Sequence, residues 1–501
     1  MDKVSPTASG ILGDALGASG QYVPMPCRGR HTCGKCGVYV AGETEPPEPA
    51  EALLLANTSA PELPGYEYRL ACLCRLRGEV SVIVSSISDV VVADVGMDAA
   101  SYDGDEPSSL GLAIDIGTTT VTALLFRLGD RERLATVSEF NHQVVHGADV
   151  LSRIDVANRL GSAVLQGLIV EQLNGMVGEA LTQAPAAAGD ITRVVITGNT
   201  TMLHFLCGLP VETLGVFPFT PVSLFGEAMP AERYLPGLRR AELYLPPGIS
   251  TYVGPDITCG LLATGMGAMA PTKLLVDLGT NGEMALGAGG RLWCCATAAG
   301  PAFEGAEISS GMPALPGAID DVFVENGGVG YTTVGHKRPK GVCGTGLIAA
   351  VDSWLALGVV SGSGAMAEPF VRIGTSDISL TQADVRKLQL AKAAVAAGIE
   401  TLLAEAAVGL SDVTCLHLAG GFGSYLQPAP AAGIGLIPQE LATRVDPAGN
   451  TALSGAVLLT LSKEARRLAE KIAGDATEVQ LSTHPVFMDR YIEDMAFRED
   501  D

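Results

Sequence analysis

Four cysteines and the gaps between them carry the first recognisable chemistry in this chain. Cys27, Cys33 and Cys36 stand at C-x5-C-x2-C in the run CRGRHTCGKC, and Cys72 follows in RLACLC after thirty-five intervening residues. Thiolates grouped in this way are ligands for a soft or borderline metal. The glycine and basic residues between them let backbone N–H groups turn toward sulfur, as a buried cluster requires. Two readings follow. C-x2-C is half of a zinc knuckle, but zinc sites usually take two tight pairs, and here the fourth ligand is remote. A 2Fe–2S cluster takes three close cysteines and a distant fourth, and Cys27, Cys33, Cys36 and Cys72 are assigned to it. Cys74, two residues past Cys72, is the spare.

A second chemistry lies in three glycine loops. Leu110 to Phe126 reads LGLAIDIGTTTVTALLF, a buried strand ending at Asp115, a tight turn at Gly117, and a second strand. Thr118, Thr119 and Thr120 offer hydroxyl and N–H donors to an anion. KLLVDLGTNGEMALG repeats the design, with Asp277, 162 residues after Asp115, then Gly279, Thr280 and Asn281. CLHLAGGFGSY (Cys415 to Tyr425) ends a strand in Gly420, Gly421 and Gly423, which let backbone approach a ligand closely. RVVITGNTT adds Asn199 and Thr200 in a polar turn. An aspartate in each hairpin is placed to hold Mg²⁺ through water, because that ion keeps much of its hydration shell. Asp256 in YVGPDI stands at the edge of a helix rich in Gly and Ala, where its ordinary role is an N-cap. Glu304 and Glu307 in GPAFEGAE either line the cleft or a docking face, or belong to a solvated loop. There is no Walker A motif, since the Gly-Lys at 34–35 belongs to the cysteine loop.

The elements that must position these residues follow the hydropathy pattern. Before residue 90 the pattern predicts a helix over 11–19, a strand over 37–41, an acidic Pro-rich loop over 43–49, a helix over 51–57 and a strand over 79–85. Only about ten residues precede the first helix, so an opening hairpin is short or absent. Residues 89–109 run through VGMDAASYDGDEPSS and read as a hinge or tether. Helices are expected over 146–160, 162–184, 202–206, 389–409 and 450–469, with GVCGTG (341–346) opening another whose N-terminus suits an anion. Cys294 and Cys295 are adjacent in a strand and so face opposite ways. Cys207, Cys259, Cys343 and Cys415 read as buried thiols.

Composition excludes several classes. A net charge of −23 lacks the basic footprint that nucleic acid demands, and it disfavours an anionic membrane surface. No apolar run reaches the roughly 18 residues of a spanning helix, and the N-terminus shows no secretory hydrophobic stretch. Eleven cysteines, four at cluster spacing, fit a reducing cytoplasm better than a disulfide framework.

The cysteine spacing and the R-L-x-C around Cys72 resemble 2Fe–2S ferredoxins of the adrenodoxin-like branch. The three glycine loops resemble the phosphate and adenosine segments of the actin-like ATPase superfamily. The combination resembles the reductive activators of corrinoid proteins, as do GPAFEGAEISSGM, GVCGTGL, TQADVRKLQLAKAA and AGGFGSYL, so that the likeness spans nearly the whole chain. It implies an α/β protein with an N-terminal β-grasp ferredoxin domain (1–88), a linker (89–109) and a two-lobed, ribonuclease H-like ATPase domain (110–501), its second lobe starting near 272. It implies a 2Fe–2S cluster, ATP and Mg²⁺ as cofactors. Asp115 and Asp277 would be catalytic, with Gly117, Thr118, Thr119, Asn199, Gly279, Thr280, Asn281, Gly420, Gly421 and Gly423 around the nucleotide. The activity implied is ATP-dependent one-electron reduction of Co(II) to Co(I) in a corrinoid protein of a methyltransferase system such as an O-demethylase. The partners are that protein and an unidentified low-potential donor. A homodimer is admitted but not specified. Some members carry a further domain of about a hundred residues before the ATPase, where this chain has only its linker. The alternatives are ATP-driven electron donation to another low-potential enzyme, a small-molecule kinase with a fused redox domain, or a non-catalytic actin-like scaffold.

Overall fold

The computed structural model describes residues 2–5, 10–19, 23, 31, 36–55, 63–83, 102–104, 106–266, 271–423 and 425–497. Cys27, Cys33 and the linker as far as 101 lie outside the described residues. The N-terminal part has strand β1 (Asp2–Val4), helix α1 (Leu12–Ala18), β2 (Gly37–Thr44), α2 (Pro49–Leu55), β3 (Glu67–Leu70) and β4 (Leu76–Ile83). Its antiparallel sheet runs β1–β4–β2–β3. Among the described residues a single strand, laid on β4, precedes α1, where the sequence predicts an opening hairpin that is short or absent. The sheet has its own core, which contains Leu12, Leu16, Val38, Leu70 and Val82.

A buried ion pair fixes this unit. Glu51, in the first turn of α2, is fully buried against Arg69 of β3. Arg69 donates from Nε to Oε1 at 2.9 Å and from Nη2 to Oε2 at 2.7 Å, and its Nη1 reaches Thr44 Oγ1 and the Glu45 carbonyl. Glu51 also accepts the Leu70 N–H at 2.9 Å. Hydrogen bonds from all three guanidinium nitrogens are what make burial of such a pair tolerable.

Two lobes of matched topology follow. The first contains β5 (Leu110–Ile116), β6 (Thr120–Arg127), β7 (Arg133–Phe140), α3 (Val150–Leu160), α4 (Ser162–Gln183), β8 (Ile191–Gly198), α5 (Thr200–Cys207), β9 (Glu227–Pro230), β10 (Glu242–Leu245) and α6 (Pro255–Ala263). The second contains β11 (Lys273–Leu278), β12 (Gly282–Ala288), β13 (Arg291–Thr297), β14 (Ala318–Glu325), β15 (Gly328–Thr333), β16 (Gly341–Val342), α7 (Gly344–Ala356), β17 (Phe370–Arg372), β18 (Ser379–Thr381), α8 (Gln382–Ala406), β19 (Cys415–Ala419), α9 (Gly420–Gly423), α10 (Pro428–Gly433), β20 (Val445–Gly449), α11 (Thr451–Leu461), α12 (Lys463–Asp475), β21 (Thr477–Glu478) and α13 (Pro485–Glu493). The large sheets run β7–β6–β5–β8–β10–β9 and β20–β19–β11–β12–β13–β21. In each, an antiparallel three-strand meander (β5–β7, β11–β13) continues through parallel strands, β8 beside β5 and β19 beside β11.

Several boundaries differ from the sequence pattern, for local reasons. The helix expected from residue 146 starts at Val150, because Asp149 and Ser152 form a capping box. The helix expected from 389 starts at Gln382, capped by Thr381 and Asp384, and ends at a left-handed Ala407 rather than at Gly409. The helix expected over 450–469 is two, broken where Ser462 caps α12. Near the end of the 89–109 segment, Asp103 pairs with Arg193 at 2.9 Å, and the Arg193 guanidinium lies 4.7 Å from the Tyr102 ring centroid. Adjacent Cys294 and Cys295 enter different cores, as strand geometry requires.

The core between the lobes is built on α6 and α11. A Cβ on Gly455 would lie 2.2 Å from the Cys259 carbonyl oxygen, so the two helices approach at backbone distance. Gly455→Ala therefore forces them apart and lowers stability by about 1–3 kcal/mol. Gly175→Ala in α4, where a Cβ meets nothing within 4 Å, raises it by up to about 1 kcal/mol through helix propensity. Calorimetry of the pair checks the opposite signs; equal effects would mean that the helix crossing does not depend on the glycine.

Candidate functional site

The strand ends of β5 and β11 bring Asp115 and Asp277 to equivalent positions in the two lobes, each one residue before the end of its strand. The first loop is pinned from behind. Asn141 Nδ2 donates to the Gly117 carbonyl at 2.8 Å, Arg153 Nη2 to the Thr118 carbonyl at 2.5 Å, and the Asn141 N–H to the Thr119 carbonyl at 2.8 Å. Carbonyl and N–H point oppositely across a trans peptide, so the amides of 118–120 face the other way, as an anion site needs. Arg153 is fully buried, and burial brings its guanidinium down to about 9, against the charges of Asp149 and Glu304. Asn199 donates to Thr118 Oγ1 at 3.1 Å while its Oδ1 caps α5. Thr200 faces inward instead, its hydroxyl spent on the Ser250 carbonyl.

The second hairpin adds an acid that the sequence reading missed. Glu283 of β12 is the register partner of Asp277, and it is buried. Like charges directly opposite in a sheet are destabilising, so this pairing marks a site rather than a scaffold. The register of the D-L-G-T-N-G-E turn was its only signal. Asp256 joins them. It does not cap α6: the N-cap is Gly254, Pro255 follows, and Asp256 lies in the first turn. Asn450, the N-cap of α11, crosses from the second lobe to donate to Asp115 Oδ2 at 2.9 Å. Gly420 has φ +87°, and a Cβ there would lie 2.5 Å from Asp277 Oδ1; Gly421 opens on free space.

Burial lifts all four carboxyls. Asp115 is pushed up to about 6 despite the Asn450 bond, and Asp277 to about 7 with the charge of Asp115 adding to burial. Asp256 and Glu283 lie above the carboxylate range through burial and through the charges around them, Asp277 acting on both. Among the described residues, no cation is among the charges acting on the four. A hard divalent cation taking oxygen ligands suits such a set.

Glu304 is drawn into the same place. It accepts from Thr119 Oγ1 at 2.7 Å and from Thr280 Oγ1 at 2.8 Å. Glu307 is exposed, with φ +62°, and its carbonyl accepts from Lys387. Cys415, His417 and Asp446 form a separate group with ligand atoms within 4.8 Å, but the charge of Lys273 acts on both Cys415 and His417 and disfavours a cation there.

In the N-terminal unit, Cys36 and Cys72 are buried with their sulfurs 3.2 Å apart, and the Cys72 N–H points at Cys36 Sγ at 3.5 Å. Two thiolates on one tetrahedral metal stand roughly 3.8 Å apart for bonds of about 2.3 Å, so the pair fits a shared metal with a small opening. The 71–74 turn that carries Cys72 is held by α1, whose Leu12 and Gly13 N–H groups donate to the Cys74 and Ala71 carbonyls. Cys74 is fully buried, and burial pushes its thiol to about 12, so it stays protonated beside the pair. None of the described cysteines forms a disulfide.

Twin hairpins at matching strand ends, carboxylates between the lobes and a separate N-terminal sheet define a two-lobed actin-like unit with an appended domain. Residues 110–269 match the family model described as the RACo middle region, and residues 271–501 match the C-terminal, ASKHA domain of RACo. The corrinoid activation enzyme RamQ of Eubacterium limosum is 33% identical over 421 residues, 77% of this chain and 70% of the relative. The [Co(II) methylated amine-specific corrinoid protein] reductase of Methanosarcina barkeri is 27% identical over 77% of each chain. A solved reductive activator for corrinoid, iron–sulfur protein superposes with a TM-score of 0.72 at 27% identity, covering 99% of this chain and 96% of that one. The chain belongs to the RACo family of reductive activators of corrinoid proteins and is an enzyme of that family. The middle-region match falls on the first lobe. No helix among the described residues is long and apolar enough to cross a membrane.

The raised carboxyls make stability depend on pH. Their folded-state contribution is fully present below the unfolded value of about 4 and is lost as pH rises through the folded values of about 6 for Asp115 and about 7 for Asp277. In EDTA the thermal midpoint should therefore fall between pH 5 and 8. Mg²⁺ should restore more of it at pH 8 than at pH 5.5, because the ion holds the ionised forms. A midpoint insensitive to both would remove the case for a cation site.

Proposed function

We propose that this chain uses ATP to drive one electron from a low-potential donor into the cobalt of a docked corrinoid protein, reducing Co(II) to Co(I) in a methyltransferase system. The observation that carries the reading is the presence, in one chain, of the buried Cys36–Cys72 pair and of twin phosphate-type hairpins facing one another between lobes. The names of its relatives, a corrinoid activation enzyme, a Co(II) corrinoid protein reductase and a reductive activator, support the acceptor.

The labour divides along the chain. Residues 1–88 hold the electron carrier, 89–109 connect, and 110–501 bind nucleotide, the second lobe starting near 272. Cys27, Cys33, Cys36 and Cys72 would hold a 2Fe–2S cluster, which when bound supplies a one-electron carrier. Asp115 and Asp277 would orient the hydrated Mg²⁺ and the attacking water. Gly117, Thr118, Thr119, Gly279, Thr280 and Asn281 would take the phosphates, with Asn199 holding Thr118. Gly420, Gly421 and Gly423 would admit the nucleoside.

Magnitudes show why ATP is useful without touching the metal. For one electron about 59 mV is tenfold in equilibrium, so a gap of roughly 0.2 V is about 5 kcal/mol. That is close to the roughly 5.5 kcal/mol that inverts a two-state population. Closure of the lobes on Mg-ATP, favouring a docked complex in which cobalt loses an axial ligand, is of sufficient size.

The test mixes the anaerobically reconstituted full chain, a Co(II) corrinoid protein and a low-potential reductant, and follows the visible spectrum with and without Mg-ATP. A Co(I) band that needs ATP supports the reading. Cys72→Ala should abolish the band and leave hydrolysis intact, and Asp115→Asn should slow hydrolysis at least about a hundredfold through lost positioning. ATP hydrolysis without Co(I) would shift the acceptor to another low-potential enzyme, and a phosphorylated small molecule would make the chain a kinase.

A further inference from the structure

Glu304 has no role in the nucleotide reading above, yet it is among the most elaborately held side chains in the second lobe. It follows Phe303, which stacks on Phe422 of the A-G-G-F-G turn with ring centroids 5.3 Å apart and planes 10° from parallel. Behind it, a Cβ on Gly344, in the G-V-C-G-T-G turn, would lie 1.9 Å from the Phe303 carbonyl oxygen, so the two backbones touch. After it, Gly305 turns at φ +72°, and Ser309 donates its N–H to Asp384 at the head of α8 at 2.8 Å. Three segments distant in sequence thus hold one short helical turn, Pro301–Glu304, and that turn presents one carboxylate.

The carboxylate lands on two hydroxyls that belong to different lobes. Thr119 is in the first hairpin loop and Thr280 in the second, their oxygens 3.4 Å apart, and both donate to Glu304. The charge of buried Arg153 also acts on it. Two hydroxyl donors and a nearby cation around an anionic oxygen group are the donor set that a terminal phosphate requires.

We infer that Glu304 is a phosphate surrogate that bolts the two hairpins together and that the terminal phosphate of the nucleotide must displace. This rests on the ATP reading of the same site. Carboxylate and phosphate cannot share Thr119 and Thr280, and at that distance their like charges repel. Nucleotide affinity is therefore reduced by the fraction of molecules in which the bolt is closed. The competition falls on the third phosphate, so a diphosphate escapes it. Glu304 is a positioning residue in this account: it sets when the loops are free.

The experiment measures binding of the magnesium complexes of AMPPNP and ADP to the full chain by calorimetry, for the wild type, Glu304→Ala and Glu304→Gln. Expected is a five- to fiftyfold tightening of AMPPNP in Glu304→Ala, with ADP unchanged within twofold. Glu304→Gln keeps the size but loses the charge and should lie between. Hydrogen exchange in the loops around Thr119 and Thr280 should quicken in Glu304→Ala without nucleotide. AMPPNP affinity unchanged or weakened in both variants overturns the inference, and weakening would make Glu304 a direct support of the bound nucleotide. A wild type that binds neither nucleotide overturns instead the ATP reading on which it rests. Should Glu304→Ala not fold, Glu304→Gln alone decides on the same AMPPNP-to-ADP ratio.

Discussion

The structure depends on keeping carboxylates together in a place that disfavours their charge. Asp115, Asp256, Asp277 and Glu283 meet where the two lobes face each other, and each raises the cost of ionising another. Like charges this close are retained only where something else benefits. Their positions follow from the fold. Asp115 and Asp277 stand at equivalent strand ends, Glu283 is across the ladder, and Asp256 is in the first turn of the helix that leaves the first lobe. Moving any one requires moving a sheet or α6.

Lobe contact is the second half of that constraint. Asn450 both caps α11 and bonds Asp115 across the interface, so the helix that packs on α6 also reports on the first aspartate. Gly455 lets α11 touch the α6 backbone at Cys259, and Gly260 brings the same stretch against Thr451. Around these two glycine contacts the crossing is filled by Ile257, Leu261, Leu453 and Val457, so a shift of α11 is felt by the whole interlobe core. The aspartates and the crossing thus form one mechanical unit.

Much of this was legible in the sequence because it is local. A strand, an aspartate, a glycine and a threonine in order specify a hairpin wherever they occur, and two copies at matching places imply matching lobes. The strands expected over 37–41 and 79–85 show their β pattern openly, whereas β3 (Glu67–Leu70) was not foreseen. What escaped was non-local or ambiguous. Glu283 is visible only once the β11–β12 register is known. Asn141 and Arg153 read as ordinary polar residues, and their work behind the first loop depends on α3 folding back over it. Glu304 and Glu307 look equivalent in GPAFEGAE, but a left-handed backbone at Glu307 turns it outward while Glu304 turns in. Helix ends were misplaced where a capping box, at Asp149 or Thr381, overrode hydrophobic periodicity.

The N-terminal unit solves a related electrostatic problem in the opposite way. Glu51 and Arg69 bury opposite charges against each other through two direct hydrogen bonds. The pair sits directly before the turn that carries Cys72, so rigidity at Arg69–Leu70 is passed to the sulfur. An electron carrier works best when its surroundings need not reorganise as its charge changes, and a satisfied ion pair next to the ligand turn provides that stiffness. The site between the lobes is the reverse: its carboxylates are left short of counter-charge, and Glu304 is held there by two hydroxyls, those of Thr119 and Thr280. One chain therefore holds a stiff, self-neutralised unit and a poised, under-neutralised one. If the first unit carries an electron and the second consumes ATP, as proposed above, this contrast is what the pairing calls for, because only the second should respond to nucleotide.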